Sequence, residues 1–289
     1  MLSDIRVLAP AKVNIGLNVL PARSDGFHDI ESIFQTVKLA DVLDVSFINE
    51  NGNCILDGGD LILPTENTFS KTYDAFCDLT GCRKGVFVKL QKVIPMGGGL
   101  GGGSSDAASF LKALAYLNKV ELTNELSDAV ASRVGSDVFF FLHCGEDENG
   151  TGCAVVTGRG DIVKAIKPRS DLYFVLIFPN VHSSTKEAYG LLDDSYESGK
   201  KTSCPKLADL EYIYRGSVSE WSFINSFTSV LVQKYPVIGK ALQDIKNTGA
   251  LWSDMSGSGA TVFGVYSSKE ECERAFVQLR KSWIHCVIA

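Results

Sequence analysis

The sequence predicts an α+β fold, and three features carry that expectation. Stretches with the two-residue alternation of strands and stretches with the 3.6-residue spacing of helices follow one another in mixed order, without a regular βαβ series. Several strand stretches lie close enough together to form hairpins. Six of the seven positions 97–103 are glycine, and this run sits between a strand pattern and a helical one.

Residues 5–20 (IRVLAPAKVNIGLNVL) alternate for much of their length and are rich in Val, Ile and Leu. Strands are expected there, interrupted near Pro10 because proline cannot donate to a ladder. Residues 22–27 (ARSDGF) read as a turn, and 33–48 carry a second β pattern. Phe69, Tyr73, Phe76 and Leu79 recur at helical spacing and predict a helix over 67–79. VFVKLQKVI at 86–94 alternates again and reads as a strand. Beyond the glycines, Ala107, Phe110, Leu111, Leu114 and Leu117 predict a helix over 105–118, and another covers 126–134. Residues 138–142 form a short apolar run, and 154–158 form a strand leading to a turn at GRGD. Composition changes little near residue 160; a boundary placed there gives domains 1–160 and 161–289. Past it come a strand (172–178), a helix (185–192) and a polar stretch (193–206). Helical patterns at 223–234 and 237–248, strands within 251–266, a helix at 269–283 and a last strand at 285–289 complete the chain.

At 289 residues the chain has room for one large domain or two small ones. Hydrophobic residues are 45% and charged residues 21%, which suits a packed core and excludes a disordered chain. The formal net charge is −6, so the balance does not suit a dedicated nucleic-acid binder. The longest apolar run, Leu172 to Phe178, is too short to span a bilayer. Asp4, Arg6 and Lys12 interrupt any apolar signal segment at the start. Eight cysteines without a CxxC pair read as free thiols, which fits a cytoplasmic protein.

The glycine-rich segment reads PMGGGLGGGSSDAA over 95–108. Glycine lets backbone N–H groups approach a ligand closely, and a helix start adds unpaired donors and partial positive charge. Together these make a phosphate cradle. Ser104 and Ser105 add hydroxyls, and Asp106 either binds Mg²⁺ or caps the helix. The alternative, a flexible linker, rarely sits abruptly between a strand and an amphipathic helix. The lysine of the Walker pattern is absent. GxGxxG is satisfied by Gly97, Gly99 and Gly102, but a run of six glycines makes that match nearly automatic. No second strand ending in an acid follows, which disfavours a dinucleotide oxidoreductase.

Two further segments are less decisive alone. In APAKVNIGLNV (9–19), Lys12 and Asn14 lie two apart and so share one strand face, where they could hold a polar substrate or simply meet solvent. In DMSGSGATVFG (254–264), small residues permit either a tight turn or a second ligand loop.

The order PAKVNIGLNV, PMGGGLGGGSSDAA, MSGSGATVFG resembles the GHMP kinase superfamily, whose three motifs occur in this order. The resemblance extends to RSDGFHDIESIFQTVKLAD at 23–41, GSDVFFFL at 135–142 and VHSSTKEAY at 181–189, and so covers most of the chain. It implies a two-domain fold, the N-terminal domain ribosomal protein S5 domain 2-like and the C-terminal domain ferredoxin-like. The closer detail implies ATP-dependent phosphorylation of the 2-hydroxyl of 4-diphosphocytidyl-2-C-methyl-D-erythritol, a step toward isoprenoid precursors. Other small-molecule kinases of the superfamily, acting on mevalonate or homoserine, have no need of a cytosine reader such as the DGFH segment. A non-catalytic nucleotide binder would not need both Lys12 and Asp137.

By this resemblance Asp137 accepts the hydroxyl proton, and Lys12 keeps it ionised and stabilises the attacking oxygen. Asn14 lies near the sugar-like hydroxyls, Phe27 and His28 read cytosine with Tyr189 as a second aromatic, and Thr185 meets the erythritol end. Asn67 lies near adenine, while Pro95, Met96, Gly97, Gly98, Gly99, Leu100, Gly101, Gly102, Gly103, Ser104 and Ser105 hold ATP. Ser105 and Asp106 are the candidate Mg²⁺ ligands. Phe139 stands where the family commonly has proline, and Asp106 where it often has asparagine. The expected partners are ATP and the small-molecule substrate, with no nucleic acid or membrane, in a monomer or weak homodimer.

Overall fold

The computed structural model describes residues 4–61, 64–181, 183–200 and 203–289. The first three residues, His182 of the 181–189 motif and two residues of the 193–206 stretch therefore lie outside the described residues. The chain forms two compact units. The first comprises Met1–Ala11, Leu39–Ile94 and Gly101–His143, and the second Lys12–Lys38, Pro95–Leu100 and Cys144–Ala289. Two long strands, β1 (Ile5–Ala22) and β2 (His28–Asn51), pair with each other and each contribute to both units.

In the first unit, β2 pairs antiparallel with β4 (Lys84–Gln91), with Val42 opposite Gln91 and Phe47 opposite Val86. Between them in sequence come β3 (Cys54–Asp57), parallel to β4, and helix α1 (Thr68–Thr80). Then follow α2 (Gly102–Asn118), α3 (Asn124–Val134) and α4 (Ser136–His143). Val86, Val88 and Leu90 alternate inward along β4 while Lys89 and Gln91 face out. They meet Phe69, Tyr73 and Phe76 from α1 and Phe110, Leu111 and Leu114 from α2, which recur at helical spacing and form one core.

The second unit holds β5 (Gly145–Glu146), β6 (Gly152–Thr157) and β7 (Ile162–Ala165), with β6 antiparallel to β2 through Ser32–Gln35. After β8 (Tyr173–Ile177) come α5 (Thr185–Glu197), α6 (Leu210–Arg215), α7 (Ser226–Lys234) and α8 (Pro236–Asn247). β9 (Trp252–Met255), β10 (Val262–Tyr266), α9 (Lys269–Leu279) and β11 (Cys286–Ile288) close the chain. The order β11-β8-β10-β9, antiparallel throughout, is the ferredoxin-like arrangement. Helices α8 and α9 pack on its strands, and Trp252 and Phe263 extend into an aromatic cluster with Trp221 and Phe223. Apolar groups thus surround β8 and β10, which explains why LYFVLIF shows no alternation.

One local expectation is corrected, and two helices come from the structure alone. β1 runs unbroken through Pro10, because its ladder is with β2 and an edge strand tolerates a missing donor. Residues 138–142 belong to helix α4, since a five-residue apolar run has no periodicity to decide its type. The structure adds α6, six residues burying only Leu210 and Tyr214, which is too short for a sequence pattern. All eight cysteines are free thiols, and burial pushes those of Cys54 and Cys153 up to about 12. Among the described residues no helix is long and apolar enough to cross a membrane.

Candidate active site

The glycine-rich segment leaves β4 and turns through left-handed backbone at Gly97, Gly99 and Gly101 before entering α2. At Gly99 both conformation and space demand glycine: φ is 77°, and a Cβ would lie 2.0 Å from the Ser256 carbonyl oxygen. The third motif thus packs directly on the loop. The Ser256 Oγ–H donates to the Gly99 carbonyl at 2.9 Å, and the Thr261 N–H to that of Gly98 at 3.3 Å. The other side of Pro95–Gly98 lines a cavity of about 380 Å³ with Asn180, Thr261 and His285.

Lys12 and Asn14 do share a strand face. The Lys12 side chain is only 3% exposed, and its Nζ donates to Asn14 Oδ1 at 2.7 Å and to the Gly99 carbonyl at 3.3 Å. The ammonium also lies 4.5 Å from the Phe34 ring centroid. Asn14 donates through Nδ2 to Ser32 Oγ, and its N–H donates to Ser256 Oγ, both at 3.3 Å. A buried cation is costly unless paired or hydrogen-bonded. Here two of its hydrogen bonds go to Asn14 and to the glycine-loop carbonyl, which hold the ammonium against the loop. Ser256 and Ser32 were not legible in the sequence; Ser256 reaches Asn14 across 242 positions.

The start of α2 lies in the first unit. Its N-cap is Gly101, with no side-chain cap, so Asp106 sits a turn inside the helix and does not cap it. Asp106 accepts from Lys92 Nζ at 2.6 Å through Oδ2, and the same ammonium donates to Asp41 at 2.6 Å. Burial pushes the Asp106 carboxyl up to about 7 against the pull of Lys92, with Asp41 adding to the rise. Asp41 in turn accepts the N–H groups of Val93 and Ile94 at 2.5 and 2.8 Å, fixing the chain that leads into the loop. The Asp106 Oδ1 and Ser105 Oγ are buried with no hydrogen-bond partner among the described residues. Two buried hard oxygens left unsatisfied on consecutive residues of α2 suit the chemistry of a hydrated Mg²⁺ carried by phosphates. No cluster of three or more His, Cys, Asp or Glu suited to a metal occurs among the described residues.

Asp137 lies in the first turn of α4, directly after Gly135 ends α3, and is half-buried. Asn67 is the N-cap of α1. Its Oδ1 accepts from Phe69 and Ser70, and its Nδ2 donates to the Pro64 carbonyl, leaving one N–H for a ligand.

The structure brings His28 and Tyr189 together, their ring centroids 4.8 Å apart, with Tyr189 edge-on to Phe227 at 4.9 Å. His28 Nδ1 lies 2.7 Å from the Leu20 carbonyl, which makes it the donor and orients the ring, and Nε2 lies 3.4 Å from Asp193. Phe27 is 53% exposed, with the Arg159 guanidinium over it at 4.7 Å. Thr185, the first residue of α5, shares a 3.0 Å hydrogen bond with Ser258 of the third motif. Phe227 and Arg159 gave no signal in the sequence beyond helical spacing and the GRGD turn.

Comparison with known proteins agrees with this arrangement. The GHMP kinases N terminal domain model matches residues 67–145, and the GHMP kinases C terminal model matches 207–285. The 4-diphosphocytidyl-2-C-methyl-D-erythritol kinase of Treponema pallidum is 37% identical, over 99% of this chain and 98% of the relative. That of Thermotoga maritima is 38% identical over 89% and 90%. A crystal structure of 4-(cytidine 5'-diphospho)-2C-methyl-D-erythritol kinase superposes with a TM-score of 0.81 at 30% identity, covering 98% of each chain. Homoserine kinase from Cytophaga hutchinsonii shares the fold at a TM-score of 0.70 and 19% identity, over 99% and 93%. With its three motifs on one loop-and-strand framework and relatives matching end to end, the chain belongs to the GHMP kinase family.

Proposed function

We propose that this chain transfers the γ-phosphoryl group of ATP to the 2-hydroxyl of 4-diphosphocytidyl-2-C-methyl-D-erythritol, giving the 2-phosphate and ADP. The full-length relatives point to that substrate. The observation in this chain that carries the reading is a pair of built sites in the second unit: a buried Lys12 held at the glycine loop, and the His28–Tyr189 pair at the end of the DGFH turn.

In this mechanism the segment Pro95–Ser105 receives ATP, its backbone N–H groups and the open start of α2 meeting the phosphates. The spare Nδ2–H of Asn67 is available to adenine. Asp137 takes the proton of the 2-hydroxyl as that oxygen attacks, and the Lys12 ammonium stabilises the charge that develops there. Asn14 and Thr185 orient the erythritol hydroxyls, while Phe27, His28 and Tyr189 hold the cytosine. Ser105 and Asp106 would hold Mg²⁺, which neutralises phosphate charge when bound.

The boundary expected at 160/161 separates the matched segments 67–145 and 207–285, but it falls in the turn between the paired strands β6 and β7, and we propose that the division follows the compact units instead. A cytoplasmic monomer or weak homodimer without nucleic-acid or membrane partners completes the proposal. Purified protein with ATP, Mg²⁺ and the cytidyl diphosphate substrate is expected to form ADP and a phosphomonoester one for one. Turnover of mevalonate or homoserine, with none of that substrate, overturns it.

A further inference from the structure

The turn after β6 carries a cation that the mechanism above does not use. Gly158 and Gly160 both have positive φ, and Arg159 projects between them with its side chain exposed. Three bonds fix the turn: the Ile30 N–H donates to the Gly158 carbonyl at 2.7 Å, the Arg159 N–H to Asp161 Oδ1 at 2.9 Å, and the Gly160 N–H to the Thr157 carbonyl at 3.1 Å. The first ties the turn to β2 only two residues beyond His28. From there the guanidinium lies over the Phe27 ring at 4.7 Å.

The charge state of this cation distinguishes it from its neighbour. Arg23, in the loop that presents Phe27, is neutralised by Asp25 at 2.8 Å and Asp29 at 3.1 Å. Arg159 has no carboxylate within ion-pair distance of its side chain among the described residues. The Phe27 loop itself is braced, because the Arg23 N–H donates to the Phe27 carbonyl at 2.7 Å and the Phe27 N–H to Asp25 at 3.1 Å. An unpaired guanidinium is therefore stacked on a firmly held, half-exposed aromatic, next in sequence to the imidazole of the base site. A guanidinium so placed has donors left for a phosphate oxygen while its face stays on the ring.

We propose that Arg159 is a specificity-determining residue for the nucleoside diphosphate part of the substrate. Its stacked face fixes Phe27 as a wall of the base site, and its free donors engage the diphosphate one ribose away. This rests on the proposed function, and the test separates the two. Intact wild type, Arg159→Met and Arg159→Lys are titrated with CDP and with cytidine by calorimetry, and assayed for turnover. Arg159→Met is expected to weaken CDP about tenfold and cytidine no more than about threefold, because only CDP carries the charge. KM for the cytidyl diphosphate substrate should rise by the same factor as the CDP dissociation constant, with kcat and the KM for ATP within about twofold. Arg159→Lys, which keeps the charge but loses the stacked planar fork, should fall between wild type and Arg159→Met, weakening CDP about threefold to fivefold. CDP affinity unchanged in Arg159→Met, or CDP and cytidine weakened equally, overturns the inference. If wild type itself neither binds CDP nor turns over the substrate, it is the proposed function that fails.

Discussion

Helices α1 and α2 pack against each other in the same unit but begin in opposite ways. α1 starts at a complete capping box: Asn67 accepts from the backbone of Phe69 and Ser70, and the Ser70 hydroxyl is within 3.0 Å of the Asn67 N–H that donates to it. α2 starts at a left-handed glycine with no side-chain cap, and behind that end Ser105 Oγ and Asp106 Oδ1 are buried and unsatisfied. A capped end is settled by the protein itself, whereas an open end with orphaned oxygens is settled by a ligand. Within one unit, the difference separates a helix start closed by its own side chain from one left open, where the proposed phosphates would sit.

The largest expected effect tests whether the open end carries a stability cost. Burial raises the Asp106 carboxyl from the ordinary value of 3.8 to about 7. Between those values the folded protein keeps a proton that the unfolded chain has released, so the native state binds more protons and stability falls as pH rises. The fall begins above pH 4, is complete above pH 7 and is on the order of 4 kcal/mol for this group. Denaturant unfolding between pH 4.5 and 7.5 should show it, and Asp106→Asn should flatten the slope. The same slope in wild type and Asp106→Asn would remove the contrast with α1. Next in size is Gly101→Asp, which puts a carboxylate where the phosphates are to sit. ATP affinity should fall about 100-fold or more, with stability changed by only about 1–2 kcal/mol. ATP bound within threefold of wild type would mean that the open end is not the phosphate site. Ser105→Ala follows: the KM for ATP should rise about tenfold while the thermal midpoint holds or rises, because an unsatisfied hydroxyl has been removed.

The same contrast governs what the sequence discloses. The strand–glycine–helix step was legible because glycine and hydrophobic period punctuate it locally, and the Lys12–Asn14 pairing was legible because two-residue spacing fixes a strand face. The ferredoxin-like sheet became legible only through family resemblance, since its buried strands do not alternate. Contacts closed by tertiary structure left no local trace. Ser256 meets Asn14 from the far end of the chain, and Lys92 bridges Asp41 and Asp106 although a lysine after an alternating strand looks like a solvated one. Helix starts behave likewise: Asn67, expected as the first residue of its helix, is the cap before it, while Gly101 hides the true start of α2 inside a run of glycines, three residues before the expected helix.

Asn67 offers the smallest effect and the sharpest division, because it stands on both sides of the comparison: a cap by geometry and an adenine contact by resemblance. Asn67→Ala removes the acceptor for Phe69 and Ser70 and is expected to cost about 1 kcal/mol of stability, read from denaturant unfolding. Asn67→Asp keeps that acceptor, since Asp caps as well as Asn, but lacks the Nδ2 donor. Its stability should stay within about 0.5 kcal/mol of wild type, because the bond lost to the Pro64 carbonyl lies at an exposed site. Its KM for ATP, read beside that of Asn67→Ser, which caps without adding a charge, then reports on the spare N–H. A rise of about threefold to tenfold assigns that hydrogen to the nucleotide, as expected for one neutral hydrogen bond. An unchanged KM in Asn67→Asp leaves Asn67 purely a cap, and α1 would then contribute only fold while the nucleotide is held by the glycine segment and α2.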